Sequence, residues 1–178
     1  MIGVVLAAGM SSRFGQSKLS FVFHGKPLIH YVLNSLYHYV EVNVIVGHYE
    51  NEVRSVLPDY VSRIIKNDDY KLGIGSSIQL AINLAISKRE DLLLTLGDLI
   101  YVDSNDYKSL INNFKGETLF SSFSGTYGPP CIIPFHVLDD MKTLSEKGGL
   151  KGIIKKFDTV SIENAKRDID FLSNIHMV

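Results

Sequence analysis

The stretch Leu6 to Lys18, LAAGMSSRFGQSK, concentrates the residue types needed to hold a polyphosphate. Gly9 and Gly15 have no Cβ to block an anion's approach to the backbone and are free to adopt positive φ, so turn N–H groups can converge on phosphate oxygens. Ser11 and Ser12 add hydroxyl donors. Arg13 offers a planar fork of donors and Lys18 a mobile point charge, a pairing that suits a phosphate chain whose charge redistributes during reaction. The spacing is that of neither common phosphate loop: the dinucleotide fingerprint needs G-x-G-x-x-G, and the Walker loop needs Lys-Ser/Thr directly after its last glycine. On composition alone, an ordinary Gly/Ser connection with two solvated cations is the alternative.

Carboxylates supply the second kind of chemistry. Asp98 follows the apolar run Asp91–Leu96 and Gly97. In open α/β sheets ligands bind beyond the carboxyl ends of the strands, so Asp98 stands at the mouth of the Leu6–Lys18 loop if both strands run parallel. It is then either a helix N-cap or a magnesium ligand. Near the C-terminus, Arg167-Asp168-Ile169-Asp170 reads as a short strand whose alternation sends both carboxylates to one face, where they could share a hard cation with Asp98 and phosphate oxygens. Solvated charges near a chain end are the other reading. Gly75 and Ser76 sit where a helix begins, with free N–H groups and the positive end of the dipole facing an anion or a base carbonyl, or with a serine acting simply as N-cap. His24, His30, His38 and His48 have no metal-binding spacing.

These residues need a sheet and helices to position them. Met1–Ala7 reads as a buried strand, being too continuously apolar for a sheet with one wet face. Phe21–His24 is a short extended piece, Gly25-Lys26-Pro27 a turn, and Ile29, Val32, Leu33 and Leu36 recur at helical spacing. Glu41–Gly47 is the second strand, Asn51–Leu57 a short helix ended by Pro58, and Tyr60–Lys66 a third strand. Asn67–Ser77 is a connection into a helix with the stripe Ile78, Ala81, Ile82, Ala85 and Ile86. After Asp91–Leu96 come a helix marked by Tyr107, Leu110, Ile111 and Phe114, the strand Thr118–Phe123, a turn at Gly125–Pro134, and a helix over Phe135–Ser145. Alternating strand and helix patterns predict a three-layer α/β/α domain of Rossmann-like type, with a mostly parallel sheet, spanning residues 1–178.

Composition is consistent with this. The 178 residues are enough for one ordinary core. The net charge of −1 provides no broad basic surface for nucleic acid. The lone Cys131 excludes an intramolecular disulfide and fits a reducing compartment as a small buried hydrophobe. Met1–Ala8 is too short to span a membrane and lacks a basic flank, so a cytoplasmic protein is expected.

The motif LAAGMSSRFGQSKL closely resembles the opening signature, LAAG-x-S-x-R-x-G-x-x-K-L, of nucleotidyltransferases related to the molybdenum-cofactor cytidylyl- and guanylyltransferases. GKPLIHYVLNSL, NDDYKLGIGSSIQLAI, TLGDLI, YGPPCIIPFHVL and RDIDFLSNI resemble later landmarks of that family in the same order. The resemblance implies a nucleotide-diphospho-sugar transferase-like fold and nucleotidyl transfer with release of pyrophosphate. It assigns catalytic roles to Arg13, Lys18 and Asp98, and nucleotide contacts to Leu6, Ala7, Ala8, Gly9, Ser11, Ser12, Arg13, Gly15, Lys18, Gly75 and Ser76. Mg2+ falls to Asp98 with Asp168 and Asp170, Asp168 being favoured of the pair. Tyr127, Gly128 and Pro129 fall on the acceptor side. This chain departs from the pattern in having Ile100 for the proline of Gly-Asp-x-Pro, Phe171 and Leu172 for a Thr-Pro, and Lys147-Gly148-Gly149 where many relatives carry an acid. Ala8, where guanylyltransferases commonly have Gly, resembles the cytidylyl branch, implying CTP as donor, molybdopterin as acceptor and a molybdoenzyme as recipient. The other readings are guanylyl transfer, a sugar-phosphate acceptor, and a non-catalytic nucleotide- or cofactor-binding protein.

Overall fold

A computed structural model of the chain describes residues 1–141, 150 and 153–166. Its strands are β1 (Ile2–Ala7), β2 (Val22–Phe23), β3 (Lys26–Pro27), β4 (Glu41–Val46), β5 (Arg63–Lys66), β6 (Leu92–Leu96), β7 (Leu119–Phe123), β8 (Thr126–Ile133) and β9 (Asp158–Ser161). Its α-helices are α1 (Leu28–Leu36), α2 (Glu50–Arg54), α3 (Ile74–Lys88), α4 (Ser104–Asn113) and α5 (Phe135–Asp140). The main sheet has the order β5-β4-β1-β6-β8-β7-β9, and β2 and β3 form a small separate ribbon. β1 pairs in parallel with β4 and β6. β8 runs antiparallel to both β6 and β7, while β9 is parallel to β7, so β8 alone opposes the common direction.

Every residue of β1 is buried, which is why its sequence is an unbroken apolar run. Its side chains alternate between two cores. Val5 and Ala7 face Ile29, Val32 and Leu33 of α1 and Tyr107 and Leu110 of α4. Ile2, Val4 and Leu6 face Ile78, Ala81 and Ile82 of α3 and Leu138 of α5. Each fully buried aliphatic chain contributes about 1.5–3 kcal/mol over an exposed one, so β1 ties the two outer layers together. The predicted three-layer α/β/α architecture with a mostly parallel sheet is the observed one.

Three elements differ from the sequence expectation. α3 begins at Ile74 rather than near Ile78, so Gly75, Ser76 and Ser77 lie in its first turn, after Gly73 at φ +107°. The segment Gly125–Pro134 is not a turn but contains the whole of β8. β9, four mostly exposed residues at the sheet edge, carries too little apolar pattern to be read as a strand. The expected helix over Phe135–Ser145 is described as far as Asp140. Asp168, Asp170, Phe171, Leu172 and the Lys147-Gly148-Gly149 stretch lie outside the described residues.

Candidate functional site

The second half of the loop leaving β1 is anchored at two points. Phe14 is buried in a small cluster with Phe23, Leu28 and Ile100, its ring edge-on to Phe21 at 5.5 Å. Leu19 is buried in the α1-side core, and its carbonyl accepts from Ile29 N–H at 3.0 Å, fixing the loop exit against α1. Ahead of these anchors Ser11 takes φ +47° and its carbonyl accepts from both Phe14 and Gly15 N–H, at 2.9 and 3.1 Å. Positive φ was expected at Gly9 and Gly15; it occurs at Gly15, at +77°, and at Ser11, while Gly9 is not among the positive-φ residues. The loop passes so close to the end of β4 that a Cβ on Gly47 would stand 2.7 Å from both the carbonyl oxygen and the Cβ of Ala8.

The anchoring aims Lys18 across the sheet. Its Nζ lies 2.6 Å from Asp98 Oδ2, with side chains 11% and 23% exposed. Asp98 follows Gly97, whose N–H donates to Leu6 O at 2.9 Å and where a Cβ would meet Leu19 Cδ1 at 3.1 Å. The ends of β1 and β6 are thereby drawn together, and the loop cation and the strand-end carboxylate meet as parallel strands require. Asp98 is thus not the N-cap of the next helix: that role belongs to Asp103, whose carboxylate accepts from Asn105 and Asp106 N–H in a capping box.

A cavity of about 320 Å³ opens beside this pair. Of the expected nucleotide residues, Leu6, Ala7, Ala8, Gly9, Ser11 and Lys18 line it, as does Asp98. Ser12 and Arg13 line an adjoining space of about 240 Å³ together with Ser11, Phe14 and Lys18. The far wall comes from Tyr70, Gly73, Ile74 and Ser77, at and before the start of α3. Gly75 and Ser76 do not line it. Gly75 is buried, and the Ser76 hydroxyl is turned inward, donating to Gly73 O or Asp69 O at 2.8 and 3.0 Å and accepting from Asn67 Nδ2 at 2.9 Å. Sequence reasoning missed Ser77 and Tyr70 as cavity residues; the signal was present in Asn67, a polar residue ending a strand, which turns out to be 2% exposed.

A hard cation takes oxygen ligands, and magnesium characteristically uses one or two carboxylates and leaves its other positions to water and phosphate. Asp98, partly exposed at the cavity mouth, fits as one such ligand. Among the described residues no group of three acidic, His or Cys side chains gathers there. Tyr127, which the resemblance assigns to the acceptor side, lies within β8 rather than in a turn, its ring 5.2 Å from that of Phe120 and 4.6 Å from that of Phe157. No described helix is long and apolar enough to cross a membrane.

A Gly/Ser-rich loop over parallel strand ends, with a lysine paired to an aspartate at its mouth, is the arrangement that similar proteins bear on. Residues 3–161 match the profile of the MobA-like NTP transferase domain. The chain belongs to this family. Among relatives, the bifunctional protein GlmU of Fervidobacterium nodosum is 36% identical over 117 residues, covering 64% of this chain and 24% of that protein. The chain thus spans about a quarter of the length of the curated relatives it matches. The inositol-1-phosphate CTP transferase from T. maritima superposes with a TM-score of 0.74 at 18% identity, covering 97% of this chain and 90% of that one. The molybdopterin-guanine dinucleotide biosynthesis protein A from Archaeoglobus fulgidus gives a TM-score of 0.68 at 16% identity, covering 99% and 96%. At these identities the structural likeness is one of fold, and the MobA-like domain described here has the nucleotide-diphospho-sugar transferase fold.

Proposed function

We propose that this MobA-like domain transfers a nucleoside monophosphate from a nucleoside triphosphate, CTP foremost, to a phosphorylated acceptor, molybdopterin foremost. An oxygen of the acceptor's phosphate bonds to the α-phosphorus, the bond from that phosphorus to the bridging oxygen breaks, and pyrophosphate leaves. The observation that carries this reading is the convergence of Lys18 and Asp98 on the loop-lined cavity at the ends of β1 and β6.

Such chemistry asks for positioning and charge stabilisation rather than covalent participation by the protein. The loop backbone and the hydroxyls of Ser11 and Ser12 hold the phosphate chain. Lys18 and Arg13 offset charge on the α-phosphoryl group and on the departing pyrophosphate. A phosphate acceptor is already ionised at neutral pH, so no side chain has to remove a proton from it. Asp98 would hold magnesium, with Asp168 or Asp170 as a further proposed ligand, and the ion would neutralise charge on the phosphate oxygens.

CTP is supported by Ala8 and by the CTP transferase named among the structural neighbours. Molybdopterin is supported by the resemblance across the chain and by the molybdopterin-guanine dinucleotide protein of the same fold. The inositol-1-phosphate enzyme also motivates a second reading, in which the acceptor is a cyclitol or sugar phosphate. The experiment is pyrophosphate release from CTP, GTP, ATP and UTP with magnesium, alone and with molybdopterin or inositol 1-phosphate. Release from CTP that depends on molybdopterin supports the main reading. Release that depends on inositol 1-phosphate moves the acceptor to the second, and no release with any acceptor removes the catalytic assignment.

A further inference from the structure

The start of α3 carries a hydrogen-bond arrangement whose direction can be worked out atom by atom. Asn67, at the end of β5, is 2% exposed. Asp69 N–H donates to its Oδ1 at 2.9 Å, which leaves the amide one orientation. Nδ2 then has two N–H groups to give, and it gives them to Ser76 Oγ at 2.9 Å and Ser77 Oγ at 2.8 Å. Both serine oxygens are therefore acceptors toward Asn67, and each hydroxyl proton must go elsewhere. That of Ser76 has the carbonyls of Gly73 and Asp69. That of Ser77 has no acceptor among the described residues, although Ser77 is 4% exposed and lines the cavity.

We propose that Asn67 is a positioning residue that fixes Ser77 as a hydrogen-bond donor toward the cavity, so that the bound nucleobase must turn an acceptor, a ring nitrogen or a carbonyl oxygen, to α3. This rests on the nucleotidyl-transfer reading and adds the polarity of base recognition to it. A buried hydroxyl whose proton lacks a partner gives it to a base edge bearing a lone pair and keeps it unpaired against an N–H, an asymmetry that discriminates more strongly than shape. An aspartate at position 67 would reverse the sign. Its oxygens would take the Asp69 N–H and the serine protons, leaving Ser77 to present lone pairs alone.

The test is calorimetric titration of the full chain, with magnesium, by CTP, UTP, ATP, GTP and tripolyphosphate as a base-free probe, for the wild type, Ser77→Ala, Asn67→Asp and the double variant. Each single variant is expected to bind the preferred nucleotide about tenfold more weakly, the loss of one net hydrogen bond. The double variant is expected to bind no more weakly than Ser77→Ala, because Asn67 acts only through Ser77. Tripolyphosphate is expected to bind all four alike. Additive losses, a matching loss with tripolyphosphate, or a Ser77→Ala or Asn67→Asp variant that binds like wild type would overturn the inference while leaving nucleotide binding intact. A wild type that binds no nucleotide overturns it together with the reading beneath it.

Discussion

Lys18 and Asp98 are eighty residues apart in the chain and 2.6 Å apart in the fold. The two charges are brought together by the parallel pairing of β1 with β6 and by the contact of Leu19 with Gly97. Replacing Asp98 by Asn keeps the shape and removes the charge. Nucleotide binding is expected to persist, with turnover reduced by about 100-fold or more, the scale of a lost electrostatic group at a reacting phosphate. Lys18→Met is expected to lower kcat/KM by a similar factor. Pyrophosphate release beside calorimetric nucleotide titration separates the two effects, and an Asp98→Asn variant with normal turnover would contradict the role given to this carboxylate.

Gly47 has no room for a side chain because Ala8 backbone and Cβ atoms lie 2.7–2.9 Å from where its Cβ would stand. Two backbone segments, not a flexible side-chain tip, would have to separate. Gly47→Ala is expected to cost about 1–3 kcal/mol, the usual range for overpacking. It should also weaken triphosphate binding, because Ala8 lines the cavity. Urea unfolding with nucleotide titration checks both, and a Gly47→Ala protein of unchanged stability would refute the close packing.

Tyr60 stacks on Tyr37 with ring centres 4.4 Å apart and donates its hydroxyl proton to Asn34 Oδ1 at 2.6 Å. Burial, reinforced by Tyr37, pushes its hydroxyl from 10.0 up to about 12. The folded form thus holds this proton more tightly than the unfolded chain. The resulting stabilisation is complete below pH 10 and is lost as pH rises from 10 through about 12. Tyr60→Phe lacks this dependence, so wild-type stability should fall more steeply than that of the variant across the window. Chemical unfolding of both proteins at several pH values measures it, and parallel pH curves would count against it.

Cys131 lies in β8, fully buried beside β6, and burial pushes its thiol well above the ordinary range. Since the thiolate is the reactive form, the native protein should resist aromatic disulfide reagents and react only on unfolding. Stoichiometric modification of the folded protein on mixing would show that this strand opens readily.

The loop was legible because its signal is local: Gly, Ser, Arg and Lys within one short stretch after an apolar run mark a turn at the end of a strand. β1, β4 and β6 were legible because strands buried on both faces read as continuous apolar runs. β8 was not, because Gly128, Pro129 and Pro130 read as turn punctuation. Two features reconcile them with a strand. The pairing shifts register between Phe120 and Ser121, and Pro129 and Pro130 fall in the irregularity, where their missing N–H groups cost no ladder bond. Ser121 Oγ then donates to Pro130 O at 2.6 Å. The part played by Asn67 was hidden for a different reason. An amide at a strand end is visible in the sequence, but the serines it reaches lie nine and ten positions on.

Since β8 alone runs against its neighbours, the tight turn between β7 and β8, with Ser124 and Gly125 both at positive φ, lies at the same end of the strands as the Leu6–Lys18 loop. The two are carried by strands that do not touch, with β6 between β1 and β8. Lengthening or shortening that hairpin would leave the registers of β1, β4 and β6 as they are. That hairpin can therefore change length like an exchangeable fitting while the strand pairing that brings Lys18 to Asp98 stays as it is.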